Sequence, residues 1–402
     1  MVILEALNAL YGDCLLLRYP GPDQKERIWI IDGGPKTETV DDKPLTVWKD
    51  VLLPRLTAIN PAVPLPVALG MVSHIDEDHI FGMQKLAGTL VSPAPSRPAA
   101  VKFARFWFNS FDKLVGPKPQ HLSAEAEAEA ASLQSLISPQ NLPNVDDDHA
   151  RLIMQSVGQG NDLATDLRTL GLDRNMPIGG FVVAKKGLKK VSIEGAEVTV
   201  IGPREDRLEA LRKAWEKALK KPTRKARQAA LQELFLPKKD LDKSITNLSS
   251  IVVLVEVAGK KLLLTGDAHG DDIVAAWTEL ELPTPAALDV LKMPHHGSIR
   301  NTTEKFLNFF TADHYVFSAD GAYDNPDAPT LEALVKMHSK RKIVMHFTNE
   351  NVTWERPYKL EKDKTKVRTL TEMLDALRTA YPGPWKADLR KPTDKSVMVQ
   401  LA

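Results

Sequence analysis

The feature that most constrains this chain is a group of four potential metal ligands directly after a short apolar run. Residues 67–73 are apolar and few enough to form a buried strand. Within the next six residues come His74, Asp76, Asp78 and His79. In an extended segment the first three project to the same side, and the second histidine joins them if a helix begins there. Acidic caps at a helix N-terminus would explain one or two carboxylates, but not two flanking histidines, so the pattern predicts a metal centre.

Two later clusters have the same relation to predicted strands. Residues 261–264 form an apolar strand that ends beside a glycine and Asp267, a carboxylate placed to bridge two cations at the sheet edge. Residues 288–293 form another apolar strand, which is followed by His295 and His296. Successive side chains of a strand point to opposite faces. We therefore expect one of these histidines to face the site and the other to support it.

Strands and helices alternate along most of the chain, which favours a layered α/β fold with its site at one edge of the sheets. The predicted strands are residues 2–7, 14–19, 27–31, 67–73, 103–108, 191–201 as a pair, 251–257, 261–264, 288–293, 315–318 and 343–347. The predicted helices are residues 47–58, 123–136, 272–280, 303–310 and 330–338, with further helical sequence in 204–243.

The middle of the chain has a different character. Residues 110–245 are predicted to be a mostly helical insertion within a single domain of residues 1–402. Within it, residues 204–243 hold 13 Lys and Arg against 7 Asp and Glu. They form either a phosphate-binding face or an ordinary solvated helix face. The candidate substrate-binding residues of this face are Lys220, Lys221, Arg224 and Lys225.

Composition excludes several classes of protein. The net charge of +1 favours neither nucleic acid nor membrane as a partner of the whole molecule. The lone Cys14 excludes an internal disulfide and a four-thiolate zinc site. There is no signal-peptide pattern, and no 18 apolar residues run together. We therefore expect a soluble, cytoplasmic protein without a membrane partner, whose oligomeric state the sequence leaves open.

Taken in order, the motifs of this chain resemble the metallo-β-lactamase superfamily. The motifs are Gly12-Asp13, Asp32-Gly33-Gly34, His74-x-Asp76-x-Asp78-His79, Thr265-Gly266-Asp267 and His295-His296-Gly297-Ser298. They are most similar to the branch typified by the extracytoplasmic domain of the ComEC DNA-uptake channel and by the choline-phosphate esterase of teichoic acid. The resemblance covers about residues 1–90 and 250–350. It implies a four-layer αββα sandwich, two divalent cations (Zn²⁺ or Mn²⁺) and a metal-bound hydroxide as nucleophile.

The resemblance also implies roles for individual residues. Asp267 would bridge the cations, and Asp78 would be essential for catalysis. His295 or His296 would contact the phosphate oxygens or protonate the leaving group. The expected metal ligands are His74, Asp76, Asp78, His79 and Asp267. Asp13 and Asp32 are expected either to orient these ligands or to cap turns.

Three positions depart from the family pattern. The commonest first motif has a histidine where this chain has Asp76, and a carboxylate makes the site more tolerant of Mn²⁺ or Mg²⁺. The third-motif histidine has no counterpart in residues 246–250. The branch often has Gly-His-Pro where this chain has Asp324-Asn325-Pro326. Asn325 is therefore a candidate carbonyl donor or substrate-binding residue, and Asp320 and Asp324 are its alternatives.

These features predict a metal-dependent hydrolase, with a phosphodiesterase or nuclease as the leading hypothesis and nucleic acid as a candidate partner. The first alternative is a phosphodiesterase acting on a small molecule, such as a cyclic nucleotide or a phospholipid headgroup. The second is a binding or scaffold protein whose metal site has decayed. A measurement of bound metal per chain separates the scaffold from both enzymes.

Overall fold

The chain has a mixed α/β fold built around two large sheets. The computed structural model describes residues 1–40, 43–61, 64–93, 99–110, 148–219, 244 and 246–402. Among these residues, no helix combines the length and apolar character that a membrane span requires.

The strands and helices follow in the order expected for alternating elements. The strands are β1 Val2–Leu7, β2 Leu15–Pro20, β3 Glu26–Ile31, β4 Glu38–Val40, β5 Lys43–Leu45, β6 Leu65–Val67, β7 Leu69–Met71, β8 Val101–Phe103, β9 Phe106–Trp107, β10 Val191–Ile193, β11 Ala196–Gly202, β12 Val252–Val257, β13 Lys260–Leu264, β14 Ala286–Lys292, β15 Phe310–Phe317, β16 Val344–Phe347, β17 Thr353–Lys359, β18 Lys366–Thr369, β19 Lys386–Leu389 and β20 Ser396–Leu401. The helices are α1 Leu53–Ile59, α2 Glu77–Val91, α3 Asp148–Thr169, α4 Glu205–Leu219, α5 Gly270–Glu279, α6 Glu304–Phe309, α7 Ala328–His338 and α8 Leu370–Ala380.

The first sheet has six strands in the order β20-β1-β2-β3-β7-β9, and the second has eight in the order β10-β11-β12-β13-β14-β15-β16-β19. In the second sheet, β10 to β13 are antiparallel and β13 to β19 are parallel. Because β13, β14 and β15 are parallel, their carboxyl ends meet at one edge. That edge is where the sequence places Asp267 and the paired histidines.

Three apolar cores connect the sheets and helices. One core lies between the two sheets and includes Leu4 and Trp29 of the first sheet and Val253 and Val290 of the second. A second joins the first sheet to α1, α2, α3 and α4. A third joins the second sheet to α5, α6, α7 and α8. A strand covered on both faces is expected to be mostly apolar. β1 is buried along its whole length, and its one charged residue, Glu5, pairs with Arg55.

Most of the predicted elements are confirmed to within a few residues, but three segments differ. The predicted strand 67–73 is two short strands, because the chain changes partner at Ala68. There β6 pairs with β8, whereas β7 pairs with β3 and β9. The predicted strand 103–108 divides into β8 and β9 for the same reason. The predicted helix 47–58 begins as a π-helical turn, Val47–Leu52, before it continues as α1.

The predicted insertion contains more than helices. Residues 110–245 include α3, α4, β10 and β11, and these two strands form one edge of the second sheet. Helix α3 packs against α2, next to the first ligand cluster. Whether the chain is one domain with an insertion at 110–245 stays a prediction. The sequence helix 123–136 lies outside the residues that the structure describes.

Candidate metal centre

The first ligand cluster lies where the chain enters α2. The helix begins at Glu77 and is preceded by Asp76 in an extended conformation. Asp78 therefore lies in the first helical turn beside His79, and not on an extended segment with His74 as the sequence predicted. The backbone nitrogen of Gly33 donates to the carbonyl oxygen of His79 over 2.7 Å and holds this turn in place. The approach is so close that a Cβ atom on Gly82 would lie 2.0 Å from the carbonyl oxygen of Gly33.

Asp267 lies at the centre of the site. Its Oδ2 atom is 3.5 Å from Nε2 of His295 and of His296, and 3.9 Å from Nε2 of His74. Its Oδ1 atom is 3.4 Å from Nε2 of His79. The structure thus brings together side chains that about 190 residues separate in the sequence, and one carboxylate faces four imidazole nitrogens.

Both histidines that follow β14 face the site, so the expectation that only one would do so is wrong. The strand ends at Lys292, and Pro294–Gly297 form a 3₁₀ turn. His295 and His296 have φ values of 45° and 57°, in the left-handed region that non-glycine residues seldom adopt. The alternation of a strand therefore does not apply to them. Such backbone strain occurs most often at functional sites.

The partners of His74 and His79 define their tautomers. A carboxylate oxygen of Asp32 is 2.9 Å from Nδ1 of His79, so this nitrogen donates its proton to the carboxylate. Ser73 donates its hydroxyl proton to the same carboxylate over 2.8 Å, and its Oγ then accepts from Nδ1 of His74 over 3.0 Å. In the neutral form of both rings Nε2 therefore carries the lone pair, and Asp32 orients His79 directly and His74 through Ser73.

Backbone and amide oxygens hold the second pair of histidines in the same way. Nδ1 of His296 donates to the carbonyl oxygen of Ser318 over 2.8 Å. The amide N–H of Asn301 donates to the carbonyl oxygen of Asp267. The Oδ1 atom of Asn301 therefore faces Nδ1 of His295 at 2.9 Å. A ring that donates from Nδ1 in this manner is typical of histidine ligands to metals. The sequence singled out neither Ser73, Ser318 nor Asn301.

The donor atoms fit a divalent cation. Ligand atoms of Asp78, His79, Asp267 and His296 all lie within 4.8 Å of one another. The buried Nε2 atoms of His74, His79 and His296, together with Oδ1 of Asp267, have no hydrogen-bond partner among the described residues. Buried polar atoms are normally paired, and a cation would satisfy all of them. His74 and Asp76 lie beside this compact group, with 3.6 Å between Nε2 and Oδ2.

Electrostatics in the site favour positive charge at its centre. Burial alone would raise the pKa of Asp267, yet the imidazoles of His296 and His295 hold it well below its usual range. Burial would likewise lower the pKa of His79, but the carboxylates of Asp267 and Asp78 raise it well above the ordinary histidine value. A divalent cation would supply this charge directly.

The remaining predicted residues have different positions. Asn325 is buried in the wall of a cavity of about 900 Å³ that opens from the compact group. Asp324 also lines this cavity, and its carboxylate accepts from the backbone nitrogen of Glu355. His346, a further histidine at the end of a strand, bonds to Asp388 and to His314. The predicted Lys220, Lys221, Arg224 and Lys225 lie outside the residues that the structure describes.

Replacing Asp32 by asparagine is expected to weaken metal binding by roughly 10- to 100-fold, as is usual for a residue that orients a ligand. The amide loses one of the acceptor oxygens used by His79 and Ser73. Chelator competition with the purified protein measures the change. Asp289→Asn is the matched control, because the carboxylate of Asp289 accepts from the backbone nitrogen of Lys261 and pairs with Lys260. Equal affinities in both variants would contradict the assignment.

Comparisons with known proteins identify no family. No protein-family model matches the chain, and no curated protein matches it. Among solved structures, a mutant of CmlA beta-hydroxylase is similar with a TM-score of 0.40 and 10% sequence identity. The match covers 100% of this chain and 54% of that one, so this chain spans about half the length of its neighbour. A likeness of this size does not establish a shared fold or activity.

Proposed function

We propose that this chain is a metal-dependent hydrolase that cleaves phosphodiesters with two divalent cations, Zn²⁺ or Mn²⁺. The observation that carries the proposal is the convergence of four histidine Nε2 atoms on Asp267, each ring held by a partner at Nδ1. Three of these atoms, Nε2 of His74, His79 and His296, are buried and have no hydrogen-bond partner among the described residues. Burying them in this way costs stability unless a ligand binds. A decayed site in a scaffold protein would have no reason to retain it.

The proposed fold is the four-layer αββα sandwich of the metallo-β-lactamase superfamily, in its ComEC-like branch. Support comes from the two sheets, the apolar core between them and the helical layer against each. Further support comes from the place of the ligand clusters at strand ends along one edge. We also propose a single domain with residues 110–245 as an insertion, and a cytoplasmic location.

The ligands divide into two sets that share Asp267. Asp78, His79 and His296 would hold one cation, and His74 and Asp76 would hold the other. His296 is thus assigned as a ligand, and not as a contact to phosphate. Bound cations would polarise a phosphoryl oxygen and activate a water molecule. His295 faces the cavity with 26% of its side chain exposed, and as an imidazolium it would donate a proton from Nε2 to the leaving oxygen.

The second candidate substrate is a small phosphodiester, and the residues that line the cavity favour it over a polynucleotide. Seven carboxylates line it, and among its described lining residues Arg300 is the one lysine or arginine. Two cations would neutralise the carboxylates that hold them, but Asp324, Asp327 and Glu355 also line the cavity and would repel a polyanion. The aromatic rings of Tyr11, Tyr323 and Trp354 also face this space. A nuclease would need its basic contacts elsewhere, in residues 220–225.

The deciding experiment measures bound metal per chain and hydrolysis with Mn²⁺, Zn²⁺ and Mg²⁺. The substrates are single-stranded DNA, double-stranded DNA, RNA and bis-p-nitrophenyl phosphate. We expect close to two metal ions per chain and metal-dependent cleavage of the chromogenic diester. A natively folded protein with near-zero metal after reconstitution would overturn the proposal and favour the scaffold. Cleavage of the small diester alone would favour the second candidate.

Charge reversal in the insertion distinguishes the two enzymes further. If the protein is a nuclease, the variant should lose polymer cleavage and its salt dependence but keep activity on bis-p-nitrophenyl phosphate. The positions to replace by glutamate are Lys220, Lys221, Arg224 and Lys225. Equal loss on both substrates would indicate a structural role for these residues. Unchanged activity on both would leave the nuclease hypothesis without its basic surface.

A further inference from the structure

The metal centre contains a buried ion pair that the proposed chemistry does not use. Lys292, the last residue of β14, has no exposed surface, and its Nζ is 2.7 Å from Oδ2 of Asp13, which is also buried. The same Nζ donates to the carbonyl oxygen of Met293 over 3.0 Å. Fully buried lysines are rare unless they are paired.

The pair lies directly behind the ligands. Oδ1 of Asp13 is 3.4 Å from Nδ1 of His296, and Oδ2 is 4.0 Å from Nδ1 of His79. The backbone nitrogen of Asp13 donates to the carbonyl oxygen of Asp78. On the other side, Thr265 donates its hydroxyl proton to the carbonyl oxygen of Lys292 over 2.8 Å. The pair therefore contacts the segments that carry both halves of the compact ligand group.

Stability alone does not explain this pair. Desolvating two charges usually costs as much as their attraction returns, and apolar replacements of buried pairs are often neutral or stabilising. The pair stands among carboxylates whose own charge has to be balanced. The five carboxylates of the site and its supports, less one ammonium group, leave a formal charge of −4. They are Asp13, Asp32, Asp76, Asp78 and Asp267.

A charge of −4 equals the opposite of two divalent cations. Glu77 is left out of this count because its two carboxylate oxygens already accept hydrogen bonds, from the backbone nitrogen of Lys36 and from the hydroxyl of Tyr11. Without Lys292 the same side chains would carry one excess negative charge. Among the described residues, Lys292 is the one lysine or arginine whose side chain pairs with any of these five carboxylates.

We propose that Lys292 and Asp13 are positioning residues that match the charge of the site to two divalent cations. This inference rests on the proposed function. Asp13 orients His296 and adds negative charge behind the ligands, while Lys292 fixes Asp13 and limits that charge. The two residues therefore have opposite effects on cation affinity, whereas two partners of a merely structural pair would not.

The test measures the affinity of metal-free protein for Zn²⁺ and Mn²⁺ by chelator competition, with the visible spectrum of the Co²⁺ form as a second readout. Asp13→Asn should bind about 10- to 100-fold more weakly, as for other residues that orient ligands. Adding Lys292→Met to that variant removes a nearby positive charge. By Coulomb's law, the double variant should bind metal at least about tenfold more tightly than Asp13→Asn alone. Lys292→Met alone should bind more tightly than the wild type.

Arg55→Met provides the control, because Arg55 pairs with the buried Glu5 and neither residue belongs to the site. It should lower stability without changing metal affinity or the Co²⁺ spectrum. The double variant keeps the test decisive if Lys292→Met alone does not fold. An unchanged or lower affinity on adding Lys292→Met to Asp13→Asn would overturn the inference. A wild-type protein that binds no metal would overturn the proposed function instead.

Discussion

Replacing Asp267 by alanine is expected to abolish metal-dependent hydrolysis and to lower metal affinity more than any other single change in the site. Among the carboxylates of the described residues, Asp267 is the one within 4 Å of all four histidine Nε2 atoms. Without it, the four imidazoles would face each other and two cations would lose their shared anion. The loss should exceed the roughly 10- to 100-fold that is typical when a residue that only orients a ligand is removed.

Metal content after dialysis and turnover of bis-p-nitrophenyl phosphate measure this effect together. Asp375→Ala is a suitable control, because Asp375 is an exposed carboxylate on α8 that pairs with Arg378. It should retain wild-type metal content and turnover. An Asp267→Ala protein that still binds two ions per chain would place the metal elsewhere, and retained turnover would place the chemistry elsewhere.

Replacing Glu332 by alanine is expected to lower the free energy of unfolding more than any other substitution proposed for this chain. This buried carboxylate of α7 accepts from the hydroxyls of Tyr358 and Tyr381 over 2.7 and 2.8 Å, and from the backbone nitrogen of Glu361 over 2.9 Å. It thereby joins α7 to β17 and to the end of α8. Glu332→Ala leaves these donors without their acceptor and should lower the free energy of unfolding by about 3 kcal/mol.

Urea denaturation of the metal-free protein measures this difference. Glu332→Gln, which keeps the size and one acceptor oxygen, should lose less than Glu332→Ala. Glu361→Gln is the surface control, because Glu361 pairs with Lys336 where both side chains are more than half exposed. It should change stability by no more than about 1 kcal/mol. A loss for Glu332→Ala that is no larger than this control would contradict the assigned role.

The sequence by itself determined where the ligand clusters lie relative to secondary structure. An apolar run followed by polar ligands is a local pattern, and β13 and β14 end within a residue or two of where this pattern predicts. A helix close to His79 was a condition of the predicted cluster, but α2 begins earlier than expected, at Glu77. Local residue types and their spacing decide such features, so no knowledge of distant partners is needed.

Other parts of the site depended on contacts that no local pattern records. The side chains of His295 and His296 both face Asp267 because their backbone is left-handed, and strand alternation had predicted otherwise. In the sequence, Lys292 looks like an ordinary lysine at the end of a strand. Its side chain is buried against Asp13, a contact that is made across the two sheets. The roles of Ser73 and Asn301 likewise come from hydrogen bonds between separate loops.

The C-terminal part of the chain was decided almost wholly by the tertiary structure. β20 completes the first sheet beside β1, nearly 400 residues away in sequence. Trp354, which follows the last predicted strand, reaches the wall of the candidate substrate cavity. Short segments of this kind have weak local preferences, and their positions are set by the apolar surface they cover. The sequence thus determined which residues could bind metal, whereas long-range packing decided how they meet and what space lies in front of them.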